Sequence, residues 1–408
     1  MNIKKMFQTY LPVMILIAVF LGIAAGYFFE EKMSSAAWLG QIFMQSLKMV
    51  IVPLIVSTLI MGMNRLGDVR KMGRTGFRTL FFYMSTMAVA VTIGLVLSNI
   101  IQPGNGIAHE AAPSLRKMPA DYSFLTVIIG IVPDNIFKAL HEEKILSIIF
   151  FSLLFGGVLT TIGEKGKVLV DFFSAIEEVM IKIVYIILFF SPIGIFGLIA
   201  GQIANSGGVE QFLSDLWKIR FYVLNVLLGL SIHSFIILPL MLLVFAKRNP
   251  FKYMLDLFPA IGVAFSTASS SATLPVTMDC VTRKGKVSRK ISGFVLPLGA
   301  TINMDGTALY EAAAAMFIAQ MYGIELEWSQ QFVIFLTATL AAIGAAGIPE
   351  AGLVTMLMVL QAVNLPVEGI VFLIGIDWFL DRCRTAVNVW GDASVAAVID
   401  TEDKQIHS

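Results

Sequence analysis

Charge is scarce in this chain. Only 14% of its 408 residues are Asp, Glu, Lys or Arg, where soluble domains carry about 25%, too few to coat a water-facing surface of this size. The 29 basic residues balance 28 acidic ones, so no basic excess exists to neutralise phosphates, and nucleic acid is excluded as a partner. Cysteine is nearly missing: Cys280 and Cys383 lie in or beside apolar segments, which gives neither a disulfide framework nor a zinc cluster. The four histidines, His109, His141, His233 and His407, sit near no nucleophile and in no metal motif. An intramembrane hydrolase therefore has no support in the sequence.

What is present is hydrophobic, 57% of the residues, gathered into runs long enough to cross about 30 Å of hydrocarbon. They fall at 10–29, 38–62, 79–101, 124–160, 168–203, 219–246, 253–282, 289–323, 328–363 and 367–399. The first follows Lys4 and Lys5 as a signal peptide would, but it extends over about 20 residues without a cleavage site and reads as a helix. The runs are continuous and do not alternate, so the class is an all-α polytopic membrane protein, not a strand barrel. Arg65, Arg70, Lys71, Arg74 and Arg78 oppose Asp68 alone in the connection 63–78. Cytoplasmic connections retain positive charge, so this one is expected inside, with the N-terminus.

Two runs break the count. Segment 253–282 has Lys247, Arg248 and Lys252 before it and Arg283, Lys284, Lys286, Arg289 and Lys290 after it, so both ends read as cytoplasmic. A segment that leaves and returns on one side is a re-entrant hairpin, and Ser269-Ser270-Ser271 gives it a small polar tip suited to burial in protein. Segment 328–363 is flanked by Glu325, Glu327 and Glu368 without Lys or Arg, and is broken at Gly344-Ala345-Ala346-Gly347-Ile348-Pro349. It reads as a second hairpin, entering from outside. Paired interrupted segments of opposite topology point to a binding site at a transporter's midplane. Small residues also serve plain helix packing, as expected for Gly22 and Gly26 in the first helix.

The last run carries ionisable residues, which within a membrane mark functional sites by default. At about 100° per residue, Asp377, Asp381, Arg384, Thr385, Asn388 and Asp392 share one face, with Arg382 at its edge. An internal ion pair of Asp381 with Arg384 or Arg382 would account for part of this face, but the acids outnumber the bases. Asn303-Met304-Asp305-Gly306-Thr307 invites local unwinding, since Gly is a poor helix former and short polar side chains compete for the backbone. Unwound carbonyls with a carboxylate are hard oxygen ligands for a small cation. Asp305 and Asp392, with Glu311, would leave net negative charge in low dielectric unless cations accompanied the substrate. Arg384 suits an anionic group, because guanidinium grips a carboxylate bidentately, and Asp381 one turn earlier can accept from an ammonium. Glu311, in Tyr310-Glu311-Ala312, is a candidate proton carrier, and equally a structural acid.

Ser269-Ser270-Ser271, the 303–307 motif, Ala346-Gly347-Ile348-Pro349, and Asp381-x-x-Arg384-Thr385-x-x-Asn388-x-x-x-Asp392 together resemble the dicarboxylate/amino acid:cation symporter family, which includes the excitatory amino acid transporters. Pro133-x-Asn135-x-Phe137 and Gln102-Pro103-Gly104 extend the likeness. The resemblance implies eight transmembrane helices plus two opposed hairpins, with inverted repeats and an elevator mechanism in a homotrimer. Residues 1–77 and 104–217 would form the trimerisation scaffold, 78–103 and 218–400 the transport domain, and 401–408 a cytoplasmic tail. Both termini would be cytoplasmic and the location a prokaryotic plasma (inner) membrane.

By the same resemblance, the substrate's side-chain carboxylate meets Arg384 and its amino group Asp381. Its α-carboxylate meets Asn388, the Ser270 backbone and second-hairpin amides at Gly352, while Thr307 and Thr385 line the pocket. Sodium would lie at Asp392, Asn388, Gly299 and Asn303; at Thr301 with the Ala342, Ile343 and Ala345 carbonyls; and at Tyr83, Thr86, Asn303 and Asp305. Met87 stands where the third of these sites usually has a hydroxyl. Glu311 matches the position assigned to a co-transported proton, and potassium return on the empty carrier is a further ion the resemblance raises. Glu350, an acid at the second hairpin's tip where relatives more often have Gly or Gln, is expected either to pair as a gate with Arg382 when the hairpin is shut or to point to water in every state. The expected function is sodium-coupled uptake of glutamate or aspartate. A passive anion channel, or a symporter for another small carboxylate, remains the alternative.

Overall fold

A computed structural model describes residues 3–71, 73–107, 124–205, 209–344 and 351–407, and among them every regular element is helical. In chain order these are α1 (Ile3–Phe29), α2 (Ala37–Lys71), α3 (Arg74–Ile101), α4 (Phe124–Ile131), α5 (Ile136–His141), α6 (Ile145–Leu159), α7 (Lys167–Phe189), α8 (Ser191–Asn205) and α9 (Val209–Ile232). They continue as α10 (Leu238–Met241), α11 (Pro250–Thr267), α12 (Ser270–Asp279), α13 (Arg289–Ile302), α14 (Asp305–Met321), α15 (Trp328–Gly344), α16 (Ala351–Ala362) and α17 (Val371–His407).

Three described helices are long and apolar enough to cross a bilayer: Ala37–Arg65, Arg74–Ile101 and Trp217–Ala246. A bent pair, Gly163–Phe189 with Ser191–Gly201 at 53°, makes a fourth if it is one span. The expected runs are thus more broken than hydropathy suggests. The run 124–160 holds α4, α5 and α6, where Pro133 ends the first helix and Asn135 caps the next by accepting from Phe137 N at 2.8 Å. The run 219–246 passes through two π-helical turns, His233–Ile237 and Leu242–Ala246, on either side of Pro239. Proline supplies no backbone donor there, and a widened turn absorbs the misfit. Phe28 and Ile100 stand more than 70% exposed, apolar surface that hydrocarbon accepts and water does not.

The helices sort into two packed sets. In one, α1, α2, α6, α7 and α8 lie against one another; Gly22 and Gly26 of α1 meet Ile199 and Ile203 of α8, with room for no larger residue at Gly26. In the other, α3, α9, α15, α16 and α17 surround α14, whose residues from Asp305 to Ala319 are all buried, while α11, α12 and α13 pack on α17. A helix apolar around its whole circumference belongs at a centre. Its Ala312–Ala315 run admits neighbours closely, and Gly94 of α3 approaches the Leu309 carbonyl so tightly that a Cβ would sit 2.7 Å from it.

Helix breaks occur at polar positions. α11 ends at Ala268, which adopts the left-handed conformation with φ of 49°, and Ser269 caps α12 by accepting from Ala272 N at 3.2 Å. α11 and α12 then pack on each other, as do α15 and α16. The chain unwinds at Asn303 and Met304, with φ of −97° and −118°. The unwound stretch is shorter than the expected 303–307, because Asp305, Gly306 and Thr307 already form the first turn of α14. Ala345, Glu350 and the Ala346–Pro349 motif lie outside the described residues.

Candidate substrate and cation site

The polar face of α17 is buried against the unwound joint and the N-terminal turn of α16. Arg384 is fully buried: its Nη1 lies 2.9 Å from Asp377 Oδ1 and its Nη2 donates to Asp381 Oδ1 at 2.9 Å. The Asp377 contact is ionic but poorly aligned, leaving Arg384 Nε and Nη1 and both Asp377 oxygens without a partner in full hydrogen-bond geometry among the described residues. The guanidinium carbon lies 3.8 Å from the centre of the Tyr310 ring, stacking that a planar cation favours. Gly352 closes the other side, where a Cβ would lie 3.1 Å from Nη2. Arg384 is thus the expected partner of Asp381, and Arg382 is not. Arg382 donates instead to the Trp378 carbonyl at 2.6 Å, and no described carboxylate comes within ion-pairing distance of it.

Other expected substrate residues gather nearby. Asn388 accepts from Gly306 N at 2.7 Å and donates to Thr307 Oγ1 at 3.4 Å, which joins α17 to the first turn of α14. Thr385 donates back to the Asp381 carbonyl at 2.8 Å, keeping its oxygen lone pairs available. Ser270, buried, opens α12, which packs on α17.

Expected cation ligands form a second cluster one layer away. Asn303 donates to Asp392 Oδ1 at 3.0 Å and accepts from Thr86 Oγ1 at 3.3 Å. Tyr83 donates to the Val295 carbonyl at 2.8 Å, and Gly299 leaves room for both its hydroxyl and Asp392, which a Cβ would crowd. Asp305 is buried, and its Oδ1 has no hydrogen-bond partner among the described residues. Buried oxygens without donors are what a hard, small cation satisfies. Met87 is fully buried and offers no oxygen. Thr301 donates to the Leu298 carbonyl at 3.0 Å, and its helix α13 packs on α15, which carries Ala342 and Ile343. Ala345, the remaining ligand of that set, lies outside the described residues. Glu311 is buried facing Thr355 of α16, with neither oxygen in full hydrogen-bond geometry.

A model of the sodium:dicarboxylate symporter family matches residues 11–402. The chain belongs to that family. Its relatives include mouse excitatory amino acid transporter 3, 41% identical over 423 residues covering 90% of this chain and 79% of that protein. The Caenorhabditis elegans excitatory amino acid transporter is 39% identical over 405 residues, covering 88% and 80%. Ambystoma tigrinum excitatory amino acid transporter 1 is 38% identical over 416 residues, covering 88% and 76%. This symporter family consists of transporters, so the chain is a membrane transporter and not an enzyme.

Three groups at this site have no role assigned from the sequence. Asp377 was visible on the polar face, but its pairing with Arg384 required the side chains' packing. Tyr310 precedes Glu311 and reads as a core aromatic until Arg384 is seen over it. His233, tested in the sequence only as a nucleophile's partner or zinc ligand, touches Asp305. Its signal was an ionisable side chain inside an apolar span.

Proposed function

We propose that this transporter is a secondary active symporter that carries glutamate or aspartate inward with sodium. The observation that carries the reading is Arg384, a permanent cation buried beside Asp381 and capped by Gly352. Of such a pair, the guanidinium donates to a substrate's side-chain carboxylate and the Asp381 carboxylate accepts from its ammonium. The relatives' names, excitatory amino acid transporters, support the same substrate class.

In this reading Asn388, Thr307, Thr385, the Ser270 backbone and the Gly352 amide complete the substrate pocket. Sodium enters at Asp392, Asn388, Gly299 and Asn303; at Thr301 with the Ala342, Ile343 and Ala345 carbonyls; and at Tyr83, Thr86, Asn303 and Asp305. Glu311 takes a proton with the substrate, and potassium return is tested with the other ions. The helices α11–α12 and α15–α16 act as opposed re-entrant hairpins among eight spans. Residues 78–103 and 218–400 move as an elevator against a trimeric scaffold of 1–77 and 104–217, in a plasma membrane with both termini cytoplasmic.

Purified protein in proteoliposomes tests this directly. Labelled aspartate and glutamate should accumulate above the external concentration when an inward sodium gradient is imposed, with proton and potassium gradients then imposed singly. Flux that equilibrates without accumulation would replace the symporter with a passive anion conductance.

A further inference from the structure

The span Trp217–Ala246 does not run as a regular helix past the site: at His233–Ile237 it widens into a π-helical turn. Such turns inside α-helices recur at functional sites, because the extra residue re-aims a side chain. Here the residue that opens the turn is His233, fully buried, with Nε2 at 3.0 Å from Asp305 Oδ2. The neighbouring helix is shaped to allow this approach. Trp390 donates to the Ser234 carbonyl at 3.1 Å and locks α17 to the widened turn. Gly391 follows it, and a Cβ there would lie 2.6 Å from the same Asp305 oxygen and 3.2 Å from Asn303 Nδ2.

The chemistry of the two groups gives the contact a natural direction. A carboxylate oxygen accepts and an imidazole N–H donates, so Nε2 is the donor to Asp305 Oδ2. His233 Nδ1 is buried with no hydrogen-bond partner among the described residues, so Nε2 carries the ring's one described polar contact. A proton on Nε2 makes the contact a hydrogen bond to Asp305 Oδ2, an assignment made from the bonding pattern. Asp305 then has one oxygen held by the imidazole and the other, Oδ1, satisfied by no described group. Groups that hold a metal-binding side chain through its far atom fix its orientation, and losing them lowers affinity although they never touch the ion.

We propose that His233 is the positioning residue of the cation site at Asp305, holding Oδ2 so that Oδ1 is presented as an ion ligand. This rests on the sodium-coupled reading above. It also bears on Met87: in a site lacking one hydroxyl, the orientation of the carboxylate that remains weighs more.

The test is the sodium dependence of aspartate uptake by full-length protein in proteoliposomes, with His233→Met and His233→Gln. The glutamine amide reaches about as far as Nε2 and can donate, whereas methionine cannot. His233→Met should raise the half-saturating sodium concentration by about tenfold while leaving the maximal rate at saturating sodium within about twofold. His233→Gln should stay near wild type. Sodium-induced protection against thermal unfolding in detergent should follow the same order, as mass action requires. His233→Asn, whose amide stops short of Asp305, supplies the comparison if the methionine variant does not fold. In an Asp305→Asn background, His233→Met should add no further shift. Equal half-saturation in wild type, Gln, Met and Asn overturns the proposal while leaving sodium coupling standing, and so does a His233→Met shift that persists in Asp305→Asn. Uptake by the wild type that is indifferent to sodium overturns both readings.

Discussion

Arg384 has two carboxylates within 2.9 Å and an aromatic ring beneath it, so its removal does more than delete a substrate contact. Arg384→Cys leaves Asp377 and Asp381 facing each other in a buried site, and breaking a buried pair costs about 3 to 5 kcal/mol. Acidic-substrate binding should fall by at least about a hundredfold, at 1.4 kcal/mol per tenfold, while serine or alanine begins to bind. Thermal stability should fall too, and Asp377→Asn added to Arg384→Cys should restore stability without restoring aspartate affinity. Calorimetric titration with aspartate and a melting curve separate the two effects. Undiminished aspartate affinity in Arg384→Cys would remove the substrate assignment. Glu311 calls for a different measurement, because it is a buried carboxyl with neither oxygen in full hydrogen-bond geometry. Glu311→Gln keeps the volume and deletes the titrating group. Uptake should persist in some mode with a flattened pH profile, and a profile identical to wild type would return Glu311 to a structural role.

The element of most consequence is the α15–α16 pair, whose second helix begins against Arg384. Arg382, at the edge of the polar face, has the Trp378 carbonyl and ring as its described partners, the ring centroid 5.2 Å from the guanidinium carbon. Glu350, in the connection between α15 and α16, would be costly to bury alone, and Arg382 is the partner expected from the sequence. Glu350→Gln and Arg382→Met should each weaken aspartate binding, and the double variant should lose less than their sum. Strict additivity across that cycle would show that tip closure does not use the pair.

Across the molecule, the end of α17 ties several elements into one body. Asp400 accepts from Ser288 N at 2.9 Å and pairs with Arg248 at 3.3 Å, while Glu402 pairs with Arg78 of α3 at 2.9 Å. These bonds join α3, the start of α13 and the segment before α11 to α17. The other packed set, α1, α2 and α6–α8, exposes Phe20, Phe28, Trp38 and Phe172, a surface for lipid or for neighbouring copies. In detergent the protein should have the mass of three 44.6 kDa chains, measured by light scattering with the detergent contribution subtracted; a monomer at all concentrations would sink the trimeric scaffold.

Much of this was legible in the chain itself, for a physical reason. Hydrocarbon forces backbone polar groups to be satisfied within helices and makes each buried charge conspicuous. Runs of apolar residues therefore disclosed an all-helical membrane protein, and Asp381, Arg384, Asn388 and Asp392 stood out against them. The 3.6-residue period then put those groups on one face, and Asn303 with its neighbours marked the unwound joint. Composition could not say where long runs break, because a π turn or a one-residue bend such as Phe190 hardly changes hydropathy. Nor could it choose partners across helices. That Asp377 shares Arg384, that Tyr310 lies beneath it, and that His233 reaches Asp305 across a gap kept open by Gly391 depend on residues distant in sequence meeting at fixed spacings. Only the packing of α9, α14 and α17 around one another decides those contacts, since no local period relates positions 233, 305 and 391.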